Sequence, residues 1–221
     1  FENVDLPLIA KVASTGKPLI ISTGLAAVSE IQEALDTARH AGCKELMLLK
    51  CTSTYPAYPG DANLATIPHM RELFKCEVGL SDHTLGIGVA LASVALGATL
   101  IEKHFTLDVG DGAVDSAFSM DPDQLRVLIK ESERVWQALG EVHYGPVESE
   151  RASRLRRRSL YVGKDIKKGE RLSSESLRRV RPGLGLSPKY YELLLGSEVV
   201  RDARAGTPVT WDLVGLSNPA E

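Results

Sequence analysis

Two stretches, Val78-Gly-Leu-Ser-Asp-His83 and Thr99-Leu-Ile-Glu-Lys-His104, each run from apolar residues into a polar cluster that ends in histidine. Two earlier stretches have the same character, Leu19-Ile-Ile-Ser-Thr23 and Leu46-Met-Leu-Leu-Lys-Cys51. Their apolar runs are too continuous for a sheet with one solvated face, so they predict buried parallel strands.

Amphipathic segments separate these strands. They predict helices over Glu30–Ala41, Asn63–Lys75, Gly86–Leu96 and, opening at Asp121-Pro122, on to about Leu139. Ser29 is the predicted N-cap of the first of these helices, and Pro122 occupies the favoured first turn of the last. Strands that alternate with helices at this spacing indicate parallel βα units, and therefore an α/β fold.

Polar residues gather where each predicted strand ends. The four clusters are Ser22-Thr23-Gly24, Cys51-Thr52-Ser53, Ser81-Asp82-His83 and Glu102-Lys103-His104. In α/β folds the carboxyl ends of the strands carry the chemistry, so one common active-site face is expected. Four units cannot close an eight-stranded barrel, which needs about 200 to 250 residues. The pattern alone leaves a small open sheet and half of a barrel as alternatives.

The charge distribution divides the chain. Residues 1–139 carry a net charge of −7, whereas residues 140–158 and 159–221 each carry +2. Arg151–Arg158 holds five arginines, and Gly140 and Gly145-Pro146 interrupt regular structure just before it. This run is either a solvated linker or helix face, or a docking strip for the acidic first segment. We therefore predict domains at 1–139 and 159–221, joined by a linker at 140–158.

Overall composition excludes several classes of protein. The net charge of −3 lacks the basic excess of a nucleic-acid-binding protein, and no apolar run of about 18 residues predicts a membrane span. The three cysteines form no CxxC pair, which argues against a disulfide scaffold and for a reducing compartment. A cytoplasmic location is expected.

The last 60 or so residues predict a small β-rich module. A strand from Ser159 leads into a turn, followed by short helices near Ser174–Arg178 and Pro188–Leu195. Two more strands are predicted at Val199–Ala203 and Val209–Leu213.

Three strings resemble the sialic acid synthase family: Gly79-Leu-Ser-Asp-His-Thr84, Ile101-Glu-Lys-His-Phe-Thr106 and Cys51-Thr-Ser-Thr-Tyr-Pro56. Members condense phosphoenolpyruvate with an amino-sugar and join a TIM barrel to a C-terminal antifreeze-like (SAF, β-clip) domain. Asp165-Ile-Lys-Lys-Gly-Glu170 and Arg181-Pro-Gly-Leu-Gly185 resemble that second domain. The resemblance implies the C-terminal half of a TIM (β/α)8 barrel, because the family's first four strands have no counterpart in this sequence.

Two further strings, Gly112–Ser119 and Pro182–Lys189, resemble the pseudaminic acid synthases within that family. The implied sugar substrate is a 2,4-diacetamido-2,4,6-trideoxyhexose, and the product is a nine-carbon 2-keto acid. The alternatives are N-acetylneuraminate synthesis from N-acetylmannosamine, synthesis of a spore-coat sugar, or an inactive fragment that serves in binding or assembly. The last stays open because the family draws a catalytic glutamate and phosphate-binding lysines from the absent half.

His83 and His104 are the candidate metal ligands. Their spacing alone is also consistent with hydrogen-bonded structural histidines. The resemblance implies that both bind a divalent ion, Mn²⁺ or Co²⁺ and alternatively Mg²⁺, which would polarise the sugar aldehyde.

Phosphoenolpyruvate needs hydroxyls, backbone N–H groups and cations, since it carries a phosphate and a carboxylate. The candidate hydroxyls are Ser22, Thr23, Thr52, Ser53 and Ser81. Helix capping is the alternative role for Thr23 and Ser53.

Glu102 precedes His104 by two residues, so strand alternation places both side chains on one face. We expect Glu102 to be a buried acid or base, or to orient a histidine. The resemblance implies that Asp115 contacts the sugar, and Tyr55 is placed to lean on the substrate. Asp82 and Lys103 are predicted to point away from that face.

Arg181 opens a glycine-containing loop in the second module. The resemblance implies a domain-swapped homodimer in which this arginine covers the partner's active site and binds the acylamido oxygen of the sugar. A surface arginine in a turn is the alternative.

Overall fold

A computed structural model describes residues 1–110, 112 and 114–217. Ala113, within the Gly112–Ser119 string, and residues 218–221 of the predicted second domain lie outside the described residues. The chain divides into two compact units, Phe1–Glu141 and Val142–Glu221.

The first unit is built on a curled sheet of four parallel strands, in the order β1-β2-β3-β4. The strands are β1 (Leu19–Ser22), β2 (Leu46–Cys51), β3 (Glu77–Asp82) and β4 (Ile101–Lys103). The sheet has the architecture of half a TIM barrel. All four predicted strands are confirmed, and all four run the same way, so their carboxyl ends share one edge.

Five helices accompany this sheet. They are α1 (Leu6–Ala13), α2 (Val28–His40), α3 (Thr66–Phe74), α4 (Gly88–Ala95) and α5 (Pro122–Leu139). As predicted, α5 opens at Asp121-Pro122 with the proline in its first turn; Asp121 is its N-cap and accepts from the Gln124 backbone N–H at 2.7 Å. The predicted cap at Ser29 is wrong: the N-cap is Ala27, whose backbone N–H donates to Glu30 at 2.6 Å, and α2 begins two residues earlier than predicted.

One face of the sheet packs against these helices. Ile21, Leu48, Val78 and Leu80 contribute to a buried core that also contains residues of α1, α2 and α3. Leu48 is fully buried, a contribution of about 1.5–3 kcal/mol for a side chain of that size. The opposite face is open along β1, where Ile20 is 47% exposed. That open face reaches the edge at which the polar clusters lie.

The second unit is smaller and centres on an antiparallel pair, β5 (Ser159–Val162) with β6 (Leu177–Val180). A 3-10 segment, Glu148–Arg156, precedes the pair, and a short helix, α6 (Tyr191–Leu194), follows it. The core of this unit contains buried side chains from both strands, from α6 and from the segment that follows α6: Leu160, Val162, Leu177, Leu194, Val199, Val209 and Leu213.

Two expectations for this unit are wrong. The predicted helix near Ser174–Arg178 is replaced by a turn and the start of β6, because Leu177 pairs with Val162 and is buried there. The predicted strands at Val199–Ala203 and Val209–Leu213 do not form as continuous strands; the chain makes isolated bridges such as Ile166 to Ala203. Within the described residues, no helix is both long and apolar enough to cross a membrane.

Candidate functional site

The candidate site lies at the carboxyl ends of β3 and β4. The two strands pair in parallel with Ser81 beside Glu102 and Asp82 beside Lys103. Because side chains alternate along a strand, Ser81 and Glu102 share one face with His83 and His104, while Asp82 and Lys103 point to the other. Ser81 Oγ donates to Glu102 Oε1 at 2.8 Å, which fixes the carboxylate.

Glu102 is exposed, not buried as predicted. The physical reason is that no second layer covers this face of β4 in the described part of the chain. The carboxylate therefore keeps its hydration and needs no ion-pair partner.

The two histidines are neighbours at this edge. Their ring centroids are 5.2 Å apart and their planes are inclined by 59°. Imidazole nitrogens lie about 2.1 Å from a metal they bind, so rings at this separation can share one ion. The predicted juxtaposition of His83 and His104 is therefore present.

In each ring the Nδ1 atom already has a neighbour. His83 Nδ1 lies 3.0 Å from the Thr52 carbonyl oxygen, which can only accept, so this nitrogen carries the proton. His104 Nδ1 lies 3.5 Å from Asp115 Oδ2. Both arrangements favour Nε2 as the atom with a free lone pair, which is the usual way in which a metal-binding histidine is oriented.

Within the described residues, no group of three or more His, Cys, Asp or Glu side chains is arranged to hold a metal ion. The donor set on this face therefore consists of two imidazoles. Two nitrogen ligands suit a borderline divalent cation and leave its remaining positions to water or substrate. The residues present fit such an ion.

Aromatic rings border the histidines. The Tyr55 ring centroid lies 4.2 Å from that of His83 and 5.7 Å from that of His104, and Phe118 lies 5.2 Å from His104. Burial raises the pKa of the Tyr55 hydroxyl, and the Asp115 and Glu102 carboxylates raise it further. The phenol is therefore held protonated, as a hydrogen-bond donor beside the site.

The candidate hydroxyls divide into two groups. Thr23 Oγ1 donates to the Leu49 carbonyl at 2.8 Å, and Thr52 Oγ1 donates to the Asp61 carbonyl at 3.1 Å. Both hydroxyls are thus engaged by the backbone. Ser22 and Ser53 are half-buried, and Ser53 Oγ lies 3.6 Å from Cys51 Sγ.

Gly24 explains how the β1 and β2 ends approach each other. A Cβ at this position would overlap Ser53 Oγ. Any larger residue would have to displace the Ser53 hydroxyl, where the loop after β1 passes the loop after β2.

Asp82 and Lys103 form a buried ion pair on the helix-facing side of the same strand ends. Lys103 Nζ lies 2.8 Å from Asp82 Oδ2, and the two side chains are 5% and 1% exposed. Lys103 Nζ also donates to the Thr84 carbonyl at 2.7 Å, and Asp82 Oδ1 accepts from Thr84 N–H and Oγ1. This pair ties together the residues directly before His83 and His104.

Sequence reasoning did not single out two residues that contact the histidines. Cys51 Sγ lies 3.8 Å from His83 Nδ1, and Phe118 packs against His104. Strand alternation could have identified Cys51, because its side chain points away from that of Lys50, toward the face of the sheet that bears the histidines. Phe118 carried no such signal, since it lies in a short 3-10 turn, Ser116–Phe118.

Arg181 lies in the second unit, where it is exposed. It follows β6 directly, and its peptide bond to Pro182 is cis. Ser159 Oγ donates to the Pro182 carbonyl at 2.8 Å and accepts from Gly185 N–H at 2.9 Å, which anchors the loop. A Cβ at Gly185 would overlap the Leu160 carbonyl oxygen, so only glycine fits there.

Two domain families match this chain. Residues 1–144 match the NeuB family, and residues 157–215 match the SAF domain.

Curated relatives include two bacterial proteins named as synthases. A pseudaminic acid synthase of Helicobacter pylori is 41% identical over 214 residues, covering 96% of this chain and 63% of that protein. An N,N'-diacetyllegionaminic acid synthase of Campylobacter jejuni is 41% identical over 198 residues, covering 88% of this chain and 59% of that protein. This chain spans about 60% of the length of such relatives.

The similarity extends to solved structures. The spore coat polysaccharide biosynthesis protein SpsE of Bacillus subtilis aligns with a TM-score of 0.61 at 32% identity, covering 99% of this chain and 66% of that one. The fold and both domain matches are therefore consistent along nearly the whole sequence.

Proposed function

The chain belongs to the NeuB family, and from that premise we propose that its first unit carries the catalytic face of a phosphoenolpyruvate-condensing sugar-acid synthase. The observation that carries the proposal is the His83–His104 pair, with ring centroids 5.2 Å apart on the face that also bears Glu102. The names of the relatives, pseudaminic acid synthase and N,N'-diacetyllegionaminic acid synthase, support this reaction class.

His83 and His104 would hold a divalent cation through Nε2. Such an ion, Mn²⁺, Co²⁺ or Mg²⁺, supplies Lewis-acid polarisation of the aldehyde oxygen when bound. The Thr52 carbonyl fixes the His83 ring and the Asp115 carboxylate lies beside His104, so both imidazoles are oriented before any ligand arrives.

In the proposed reaction the methylene carbon of phosphoenolpyruvate bonds to the aldehyde carbon, and the aldehyde oxygen takes up a proton. Water adds to C2 of the former enol and loses a proton, and C–O cleavage then releases inorganic phosphate. Glu102, held by Ser81 at 2.8 Å, accepts the proton of the attacking water. Tyr55, whose pKa is raised, stays protonated and donates to the sugar.

The anionic substrate would use the remaining polar groups of the strand ends. Thr23 and Thr52 direct their hydroxyls to backbone carbonyls, so Ser22 and Ser53 are the stronger candidates among the predicted hydroxyls. Backbone N–H groups at the start of α2, which follows β1, point positive charge the same way.

For the sugar we propose a 2,4-diacetamido-2,4,6-trideoxyhexose, as the resemblance to pseudaminic acid synthases implies. Arg181 would bind its acylamido oxygen from the antifreeze-like unit of a domain-swapped homodimer. The exposed guanidinium on an anchored loop supports that role.

The test uses the protein that the complete gene encodes. Phosphate release is measured with phosphoenolpyruvate and either the 2,4-diacetamido-2,4,6-trideoxyhexose or N-acetylmannosamine, at a range of Mn²⁺ concentrations. Turnover with the diacetamido sugar is expected. Faster turnover with N-acetylmannosamine would change the substrate assignment. If His83→Ala and His104→Ala both keep metal-dependent turnover, the assignment of the site is overturned. His143→Ala, at an exposed position, is the matched control.

The second candidate function is a binding or assembly role without turnover, since the His83–His104 pair can bind an ion whether or not a reaction follows. Mn²⁺ binding that depends on both histidines, without phosphate release from phosphoenolpyruvate in the presence of any of the sugars, would support it.

A further inference from the structure

A cleft lies between α2 and α3, at the carboxyl ends of β1 and β2 on the helix-covered face of the sheet. Its volume is about 340 Å³. Its floor is apolar and buried, formed by Ile31 of α2 and Met70 and Phe74 of α3. This volume accommodates a small organic molecule, and the floor offers it dry apolar surface.

The mouth of the cleft is largely apolar, with the exposed His69 beside it. Leu25, Val28 and Leu73 line it and are 79%, 59% and 46% exposed. Leu25 has a backbone φ of +67°, a left-handed conformation that is uncommon for a large side chain. Three exposed apolar side chains around one opening form a patch suited to binding rather than to solvent.

Lys50 lines the same cleft. Its Nζ donates to the Cys51 carbonyl at 3.2 Å and to Thr52 Oγ1 at 2.9 Å, both of which are neutral acceptors. An ammonium has three donors, so one remains. No ion pair joins Lys50 to a carboxylate within the described part of the chain. Burial lowers the pKa of its amine, against a smaller opposing effect of the Asp61 carboxylate.

A half-buried ammonium without a contacting counterion is poorly stabilised, and an arriving anion would correct this. We propose that this cleft binds a small molecule with an apolar body and a carboxylate-type anionic head, the head on Lys50 Nζ and the body between α2 and α3. Lys50 and Cys51 are adjacent on β2 and point to opposite faces. The ammonium therefore lies on the helix-covered face and the Cys51 thiol on the histidine face, although Cys51 and Thr23 both also line part of the cleft.

Octanoate is the probe, and 1-octanol is its uncharged counterpart. Isothermal titration or ligand-observed NMR with the full chain should give octanoate binding that 1-octanol does not match. Lys50→Met should weaken octanoate binding about tenfold, the loss expected for a charge-assisted hydrogen bond, and leave 1-octanol binding unchanged. Lys50→Arg keeps the charge and should retain octanoate, while Lys11→Met, at an exposed position, is the control.

Unchanged octanoate affinity in Lys50→Met, equal affinity for octanoate and 1-octanol, or no octanoate binding at all would each overturn the proposal. If Lys50→Met does not fold, Leu73→Glu at the exposed mouth answers the same question, since it places a negative charge beside the anionic head. It should weaken octanoate binding by a similar factor. Ile129→Glu, on an exposed position of α5, should leave it unchanged.

Discussion

Two pairs of adjacent residues at the ends of β3 and β4 meet opposite environments. Asp82 and Lys103 point to the helix-covered side and close into an ion pair of 2.8 Å that is almost fully buried. His83 and His104, the residues directly after each strand, point to the opposite face, and neither Nε2 atom makes a hydrogen bond within the described part of the chain. One strand register thus places a buried ion pair on one face and two candidate metal ligands on the other.

This difference shows that the buried Asp82–Lys103 ion pair is a source of rigidity for the site. The histidines lie in loops directly after their strands, where backbone hydrogen bonding of the sheet ends. Asp82 also accepts from Thr84 N–H at 2.9 Å, and Lys103 donates to the Thr84 carbonyl at 2.7 Å. The ion pair therefore holds the backbone on both sides of His83, and side-chain partners at Nδ1 complete the orientation.

Disrupting the Asp82–Lys103 ion pair should have the largest effect on stability. Lys103→Met leaves the Asp82 carboxylate buried without its partner, so the free energy of unfolding should fall by about 3–5 kcal/mol. Urea denaturation followed by circular dichroism measures it. Lys44→Met removes an exposed lysine and should change stability by about 0.5 kcal/mol or less. A loss of less than about 1 kcal/mol in Lys103→Met would show that the Asp82–Lys103 pair contributes little to stability.

Removing one candidate metal ligand should weaken metal binding strongly and change stability little. His104→Ala should weaken Mn²⁺ binding by a factor of about 100 or more while the free energy of unfolding without metal changes by about 1 kcal/mol or less. Isothermal titration with Mn²⁺ gives the first quantity and urea denaturation the second. Mn²⁺ affinity equal to that of the unaltered chain would remove His104 from the ligand set.

Much of this division was accessible from the sequence. Apolar runs that end in polar clusters predicted the four strands, and alternation predicted that Glu102 and His104 share a face while Asp82 and Lys103 point away. The ion pair between those last two residues was not predicted, because it depends on the β3–β4 register, which brings together residues far apart in the chain. Local sequence does not encode such pairings.

The failures have local physical causes. Glu30, rather than Ser29, satisfies the first turn of α2, because a carboxylate one turn in reaches back to the Ala27 N–H. Leu177 was placed in a helix, yet burial against the second unit's core makes it the first residue of β6. In both cases the competing interaction outweighed local propensity.

Removing the carboxylate charge beside His104 should have a smaller effect on Mn²⁺ binding. Asp115 Oδ2 lies 3.5 Å from His104 Nδ1, so Asp115→Asn keeps the shape of the side chain and removes its charge. Mn²⁺ binding should weaken about tenfold, as for other groups that orient metal-binding histidines, without a loss of stability. Asp123→Asn, an exposed position on α5, is the control. Equal affinity in the two variants would show that Asp115 does not orient His104.

The smallest effect is expected at Cys51, and it decides which neighbour orients His83. Cys51 Sγ lies 3.8 Å from Nδ1, whereas the Thr52 carbonyl lies 3.0 Å away and accepts the Nδ1 proton. Because a thiol is a weak hydrogen-bonding group, Cys51→Ser should change Mn²⁺ affinity by no more than about threefold, or about 0.6 kcal/mol. A tenfold loss would instead make the sulfur, and not the backbone of the loop after β2, the group on which the orientation of His83 depends.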